Sequence, residues 1–105
     1  EHSVREVLLS HDDKVSVYIV PDEAAQNLEA WCLEFAVNWI WHDPNGRKLI
    51  RQINGIDVAV YGASDFIDYL NTWAFPDQQS KLVKTLDYYD YELPEEYKKY
   101  PQFNF

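Results

Sequence analysis

The chain has 105 residues, and its 18 Asp or Glu against 9 Lys or Arg give a net charge of −9. Hydrophobic residues make up 47% and aromatic residues 16% of it, which excludes a disordered chain and predicts one folded domain over residues 1–105. The acidity argues against direct binding to nucleic acid or to an anionic membrane, and no apolar run is long enough for a transmembrane helix.

The first part of the chain is predicted to form a short helix, a strand and a long helix. Ser3 has capping-box spacing, and the apolar residues after it predict a helix ending near Ser10. Alternation and β-branching predict a strand over 15–20, which Pro21 ends. Apolar spacing predicts a helix over about 23–41, apolar around more than half its circumference and therefore central to the domain. Three acids mark its solvent side: Glu23, Glu29 and Glu34.

The dipeptide Asn54-Gly55 is the strongest local signal, because it tolerates the positive φ angles of a type I′ turn. It predicts a hairpin between strands 48–53 and 56–61. In that register Arg51 shares one face with five apolar residues: Leu49, Ile53, Ile56, Val58 and Val60. We expect this face to point to the core. The strand over 15–20 is expected to join this hairpin as a third strand.

The remainder of the chain is predicted to be helical. A helix is expected to begin at Ala63-Ser64, with a packing side made of Phe66, Ile67, Leu70 and Trp73. Pro76 is expected to end it and open another helix, with core positions at Leu82, Val83 and Leu86. Pro94 suits the start of a last short helix. The order α-β-α-β-β-α-α predicts an α+β fold, a small antiparallel three-stranded sheet packed with about four to five helices.

No motif in the sequence predicts catalysis, a metal site or a cofactor. Cys32 lies among apolar residues of the long helix, so we expect an inert core thiol. The residues His2, His11 and His42 lack metal-ligand spacing, and the loop from Asp43 lacks the glycine and the glutamate of a calcium loop. We therefore expect a protein that is not an enzyme and needs no cofactor. One cysteine and no signal-peptide pattern predict a cytoplasmic location.

The tract 87–97 stands out because its eleven residues hold five acids, four tyrosines and no basic residue. It is either a solvated acidic end packed down by tyrosines or an anionic binding surface. Tyrosines provide contact area at interfaces, and carboxylates attract the Arg and Lys of a partner. With two acids of the preceding helix, the tract predicts these partner-binding residues: Asp65, Asp68, Asp87, Tyr89, Asp90, Tyr91, Glu92, Glu95 and Glu96.

At 12.4 kDa, this acidic chain resembles the small DNA-mimic proteins of bacteria, especially those that bind the histone-like protein HU. The resemblance covers the whole chain in size, acidity and expected α+β fold. Locally it rests on the acids at Asp12-Asp13, Asp22-Glu23, Asp65, Asp68 and 87–97. It implies a monomer at the nucleoid that occupies the DNA-binding face of HU and competes with DNA. Ten base pairs carry about 20 phosphates, so a net −9 imitates DNA only if the acids gather on one face.

Other hypotheses stay open at this stage. An inhibitor or immunity-type protein would block a basic enzyme, such as a nuclease, through a compact hot spot at Tyr89 and Tyr91. An acidic accessory domain would use its charge for solubility alone. An enzyme would need a deep pocket holding a carboxylate with a raised pKa. The distribution of acids and cations over the folded surface separates these hypotheses.

Overall fold

The computed structural model describes residues 3–11, 14–89 and 93–105, and for 87–89 it describes the backbone. A four-stranded sheet is built from β1 (Val4–His11), β2 (Lys14–Pro21), β5 (Lys81–Tyr89) and β6 (Gln102–Asn104), in the order β5-β2-β1-β6. Strand β2 is antiparallel to both of its neighbours, whereas β6 runs parallel to β1. A separate hairpin pairs β3 (Ile50–Ile53) with β4 (Ile56–Ala59). The fold is therefore α+β with a mixed sheet.

Two helical segments pack on one face of this sheet. The first helical segment runs through α1 (Asp22–Gln26), α2 (Leu28–Leu33), a wider π-helical stretch (Glu34–Trp39) and a last turn, α3 (Ile40–His42). A 3₁₀ turn (Gly46–Leu49) then leads into the hairpin. The second helical segment runs through α4 (Ala63–Tyr69) and a π-helical stretch (Leu70–Ala74). A short helix, α5 (Glu95–Lys98), packs on the other face of the sheet.

The sheet buries side chains on both of its faces. On β1, Val7 and Leu9 belong to the larger core beneath the helical segments, whereas Leu8 belongs to a smaller core with Leu93. Fully buried Phe35 lies in the larger core, with four aromatic ring centroids at 5.4–5.9 Å, those of Trp39, Tyr61, Phe66 and Tyr69. Because α4 contributes to the larger core and α5 flanks the smaller one, the sheet lies between these two helices.

The predicted three-stranded antiparallel sheet and the predicted element order are wrong. The first predicted helix is strand β1, and β2 pairs with β1 and β5 instead of with the hairpin. The C-terminal residues also add β6. Strand β1 was hard to recognise because Val7 to Ser10 are all buried, two on each side. A strand buried on both faces shows a continuous apolar run instead of alternation.

The helix predicted after Pro76 is also wrong, because its residues form β5. Leu82 and Leu86 have helical spacing in sequence, but a register shift opposite Val17 and Tyr18 breaks the strand alternation there. Leu86 is buried as predicted, whereas Leu82 and Val83 are exposed. The cations Lys81 and Lys84 therefore lie on a strand of the sheet and not on a helix.

The Asn54-Gly55 hairpin and its register are confirmed. The turn has φ angles of 52° and 78°, and Ile53 pairs with Ile56. The prediction of which face is buried is wrong, since Ile53 and Ile56 are 51% and 66% exposed. The inward contacts instead come from the base of the hairpin, where Ile50 and Ala59 pack against the larger core. Both faces carry apolar residues, so alternation alone does not decide which one turns inward.

The long helix is confirmed as helical, and its three predicted solvent acids are exposed. It contributes Cys32, Phe35 and Ile40 to the larger core as fully buried side chains, but its apolar surface is not buried all round, since Leu33 and Val37 are exposed. Trp73, predicted on the packing side of the second helical segment, is 61% exposed. Val37 and Trp73 both lie in π-helical stretches. The i→i+5 pairing of such a stretch shifts side chains away from the positions that α-helical spacing predicts.

Candidate protein-binding surface

The two helical segments, 22–42 and 63–74, form an acidic outer surface that we call the helical face. Together they hold six acids and no Lys or Arg: Asp22, Glu23, Glu29, Glu34, Asp65 and Asp68. Four of these are exposed, and Asp22 and Asp65 are half-buried. Two segments separated by the hairpin thus bring their carboxylates onto one layer of the fold.

The half-buried acids of the helical face have structural partners. Asp22 lies 3.0 Å from the Arg5 guanidinium and accepts a hydrogen bond from the Gln26 side chain. The Asp65 carboxylate accepts a 2.9 Å hydrogen bond from the Gly62 backbone N–H at the start of the second segment. Such a carboxylate also suits the positive end of the helix dipole. The exposed acids are therefore the better candidates for meeting a partner.

Apolar and aromatic side chains interrupt the acids of the helical face. Leu33, Val37 and Trp73 are exposed there. A groove between the two segments is lined by Glu34, Asn38, Trp39, His42, Asp43 and Trp73. Carboxylates beside tryptophan rings are a favourable setting for a guanidinium group, because a cation is attracted both to the charge and to the ring face.

Trp39 also lines a second groove, in which Asp65 and Asp68 lie with Lys48. Among the described residues, the indole N–H of Trp39 is buried and has no hydrogen-bond partner. Burial of an unpaired donor costs free energy. Close ring contacts hold this side chain nonetheless, since its centroid lies 5.0 Å from that of Tyr69.

The opposite side of the sheet carries charges of both signs. Glu95 and Glu96 are exposed on α5, and the Lys98 ammonium lies 2.9 Å from the Glu95 carboxylate. The Lys84 ammonium of β5 lies 5.5 Å from the ring centroid of Tyr97. A concave patch nearby mixes both signs, with Arg5 and Glu6 among its lining residues. This side is therefore not a uniform anionic surface.

The tyrosines near α5 bind the C-terminal part of the chain to the sheet. The Tyr100 hydroxyl donates a 3.1 Å hydrogen bond to the Glu6 carboxylate, and this bond raises the pKa of Tyr100. A hydrogen bond with Tyr97 is the main cause that raises the pKa of Lys84. Both rings also pack against the smaller core. These two tyrosines thus have a structural role.

The predicted partner-binding residues fall into separate groups. Asp65 and Asp68 lie on the helical face, and Glu95 and Glu96 lie beyond the sheet on α5. Two belong to β5, where the backbone alone is described: Asp87 and Tyr89. Three lie outside the described residues: Asp90, Tyr91 and Glu92.

Sequence reasoning placed Glu29 and Glu34 on a solvent side but not in the predicted site. The available signal was the absence of any Lys or Arg from residue 15 to residue 46.

The described residues provide neither a reactive cysteine nor a cluster of metal ligands. Cys32 is fully buried, and burial, followed by the charge of Glu29, raises the pKa of its thiol to about 12. Such a thiol stays protonated and unreactive at neutral pH. Within 3–11, 14–89 and 93–105, no three His, Cys, Asp or Glu side chains are grouped as a metal site. In the same ranges, no helix has the length and apolar character required to span a bilayer.

No protein-family model matches the chain, and neither a curated protein nor a solved structure is significantly similar to it. The arguments about function therefore rest on the chain's own charges, exposed side chains and packing.

Proposed function

We propose that the protein is a non-catalytic binding protein whose helical face docks on the DNA-binding surface of a basic protein, of the HU type, and competes with DNA. One observation carries this proposal: both helical segments on one side of the sheet are acidic and hold no Lys or Arg. A net charge of −9 spread evenly would imitate DNA poorly, whereas six of the 18 acids lie in these two segments and make this layer locally negative.

The spacing and surroundings of the acids support this proposal. Asp65 and Asp68 are three positions apart on a helix, where Cβ atoms are about 5–6 Å apart; Asp68 is exposed, whereas Asp65 also accepts the Gly62 N–H. This separation is comparable to the spacing of phosphates along a DNA strand. Exposed Val37 and Trp73 lie between the acids and would fill apolar gaps at the interface. Opposite charges attract over this surface and accelerate encounter with a basic partner.

Binding to purified HU, measured by calorimetry, tests the proposal. We expect affinity to fall about tenfold between about 50 and 200 mM salt, because exposed charge pairs are screened as the Debye length shortens. Duplex DNA should compete with the protein for HU. An affinity for HU that does not change with salt concentration would contradict DNA mimicry. So would a ternary complex in which HU binds the protein and DNA at the same time.

A pair of matched variants locates the surface. The triple variant Glu29→Gln, Glu34→Gln, Asp68→Asn removes three exposed carboxylates from the helical face. At roughly 0.2–1 kcal/mol for each exposed pair, HU affinity should drop by between about threefold and about 150-fold. The control Glu95→Gln, Glu96→Gln removes two exposed carboxylates beyond the sheet and should bind as the wild type does. The reverse result would move the binding surface to α5 and the tract 87–97.

A second candidate is an inhibitor of a basic enzyme such as a nuclease, favoured by the exposed Trp73. Large aromatic residues dominate compact hot spots, where truncation costs at least about 2 kcal/mol. Trp73→Ala should then abolish binding, while the triple acid variant has the smaller effect. Under DNA mimicry the order is reversed, because the loss is spread over many carboxylates.

A further inference from the structure

The β3–β4 hairpin projects from the body of the protein as an arm, residues 50–59. Its tip is exposed on both faces, since every residue from 51 to 58 is exposed. The face that carries Ile53 and Ile56 continues to Val58, which is 37% exposed, and to Val60 beyond the strand. Exposed apolar patches of this kind on a small protein mark interaction sites.

The charge around the arm is opposite to that of the helical face. Residues 44–56 hold three cations and no acid: Arg47, Lys48 and Arg51. All three are exposed. The Arg51 guanidinium is held at the arm by a 2.7 Å hydrogen bond to the Lys48 carbonyl oxygen. Asp57 lies on the other face of the arm, paired with Gln52. A basic partner is therefore repelled by this part of the molecule.

The surface that fits such an arm must be acidic and must expose apolar side chains. The helical face has both properties, with Glu29 and Glu34 beside Leu33, Val37 and Trp73. Both surfaces belong to one chain but lie on different elements. A second copy therefore provides the complement of each.

We propose that the arm of one molecule docks on the helical face of a second copy, in a head-to-tail contact. The arm's aliphatic residues meet Val37 and Trp73, while Arg51, the one cation among residues 50–59, meets the acids of the first helical segment. A head-to-tail contact is heterologous, so each copy keeps one free arm and one free helical face and assembly continues beyond the dimer. Both proposals use the helical face, so a copy docked there excludes a basic partner. The self-association test needs the chain alone, and its failure would leave the proposed function standing.

Sedimentation velocity of the full chain tests this contact up to about 1 mM, where an interaction of about −4 kcal/mol is half-saturated. The average mass should rise with concentration and pass that of a dimer. Ile56→Glu places an acid on the arm, and Val37→Lys places a cation on the helical face. Both positions are at least 66% exposed, so the fold tolerates the change. Each variant alone should stay monomeric, with association at least about tenfold weaker.

An equimolar mixture of the two variants gives the decisive measurement. The Val37→Lys protein keeps an intact arm, and the Ile56→Glu protein keeps an intact helical face, so the mixture should associate through this intact pair, which neither variant offers by itself. The control Val83→Lys makes the same chemical change on β5 and should associate as the wild type does. A wild type that stays monomeric, a Val37→Lys protein that still dimerises, or a mixture that stays monomeric would each overturn the proposal.

Discussion

The two sides of the sheet differ in how their charges are organised. The tract 87–97 is the densest acidic run of the sequence, yet the part of it that lies on α5 is accompanied by Lys84 and Lys98. The helical face has fewer acids per residue but no Lys or Arg in its segments. A predominantly acidic layer thus arises from which elements pack together, and not from the richest run along the chain, although Lys48 and Arg5 lie beside its acids.

The two sides also differ in their packing. The core under the helical face contains the larger set of buried side chains and most of the aromatic ring contacts. The core on the other side is built from a few aliphatic residues with Tyr97 and Tyr100 around them. All four tryptophans lie in the helical segments, so tryptophan fluorescence reports on that side alone.

The largest effect is expected from Phe35→Ala. This substitution removes a fully buried ring that contacts four other aromatic rings, and should reduce the free energy of unfolding by about 3–5 kcal/mol. Urea denaturation followed by tryptophan fluorescence measures the change. A loss below about 1 kcal/mol would mean that the helical side contributes little to stability.

A smaller loss is expected from Leu93→Ala on the other side of the sheet. Leu93 is buried in the smaller core, and its truncation should cost about 2 kcal/mol. The native tryptophan emission should stay unchanged, because the substitution lies across the sheet from every tryptophan. A shifted emission maximum in the folded variant would show that the two cores are coupled.

Alkaline pH should destabilise the protein chiefly through the helical side. The Cys32 thiol has its pKa raised from 9.0 to about 12 by burial and then by Glu29, and burial raises the pKa of Tyr69 from 10.0 to about 12. Between these values the unfolded state loses protons that the folded state keeps. The free energy of unfolding therefore falls as the pH rises from about 9 to 12.

Substitutions separate the contributions to this pH dependence. Cys32→Ala should make the free energy of unfolding fall less steeply between about pH 9 and 10, whatever its effect on absolute stability. Tyr69→Phe should flatten it above about pH 10. Denaturation curves at several pH values provide the slopes. An unchanged slope in both variants would contradict the assignment to these two buried groups.

The smallest effect is expected from Glu95→Gln. Its carboxylate pairs with Lys98, but the Glu95 side chain is 90% exposed, so the pair is well solvated. The substitution should change the free energy of unfolding by less than about 0.5 kcal/mol. A loss of more than about 1 kcal/mol in the free energy of unfolding would mean that the Glu95–Lys98 pair stabilises the fold more than an exposed ion pair should.

Local chemistry made part of the fold predictable. Asn54-Gly55 determines its hairpin and register because the positive φ angles belong to the dipeptide itself. The first helical segment was predictable because its apolar spacing extends over many residues. The α+β class follows from the mixture of such elements. Each of these features depends on neighbours in sequence, which the sequence itself displays.

Tertiary contacts made the rest unpredictable. Strands β1 and β5 resemble helices in sequence, since one is buried on both faces and the other contains register shifts. The buried face of the hairpin depends on where its base meets the larger core. For the candidate surface, Asp65 and Asp68 were predicted, but Glu29 and Glu34 were not. To predict that these four acids share one surface, one must know that two segments separated by the hairpin cover the same face of the sheet.

The parallel contact between β1 and β6 has a consequence for the order of folding. Strands β1 and β2 are close neighbours in sequence, whereas the Ser10–Asn104 hydrogen bond joins residues 94 positions apart. Closing so long a loop is entropically costly and slow. We therefore expect β5 and β6, which both pair across long loops, to join after β1 and β2 have paired, and until β6 joins, one edge of β1 has open hydrogen-bonding groups. Once it is in place, β6 (Gln102–Asn104) is the edge of the sheet, and so short an edge strand offers few groups for pairing with a strand of another chain.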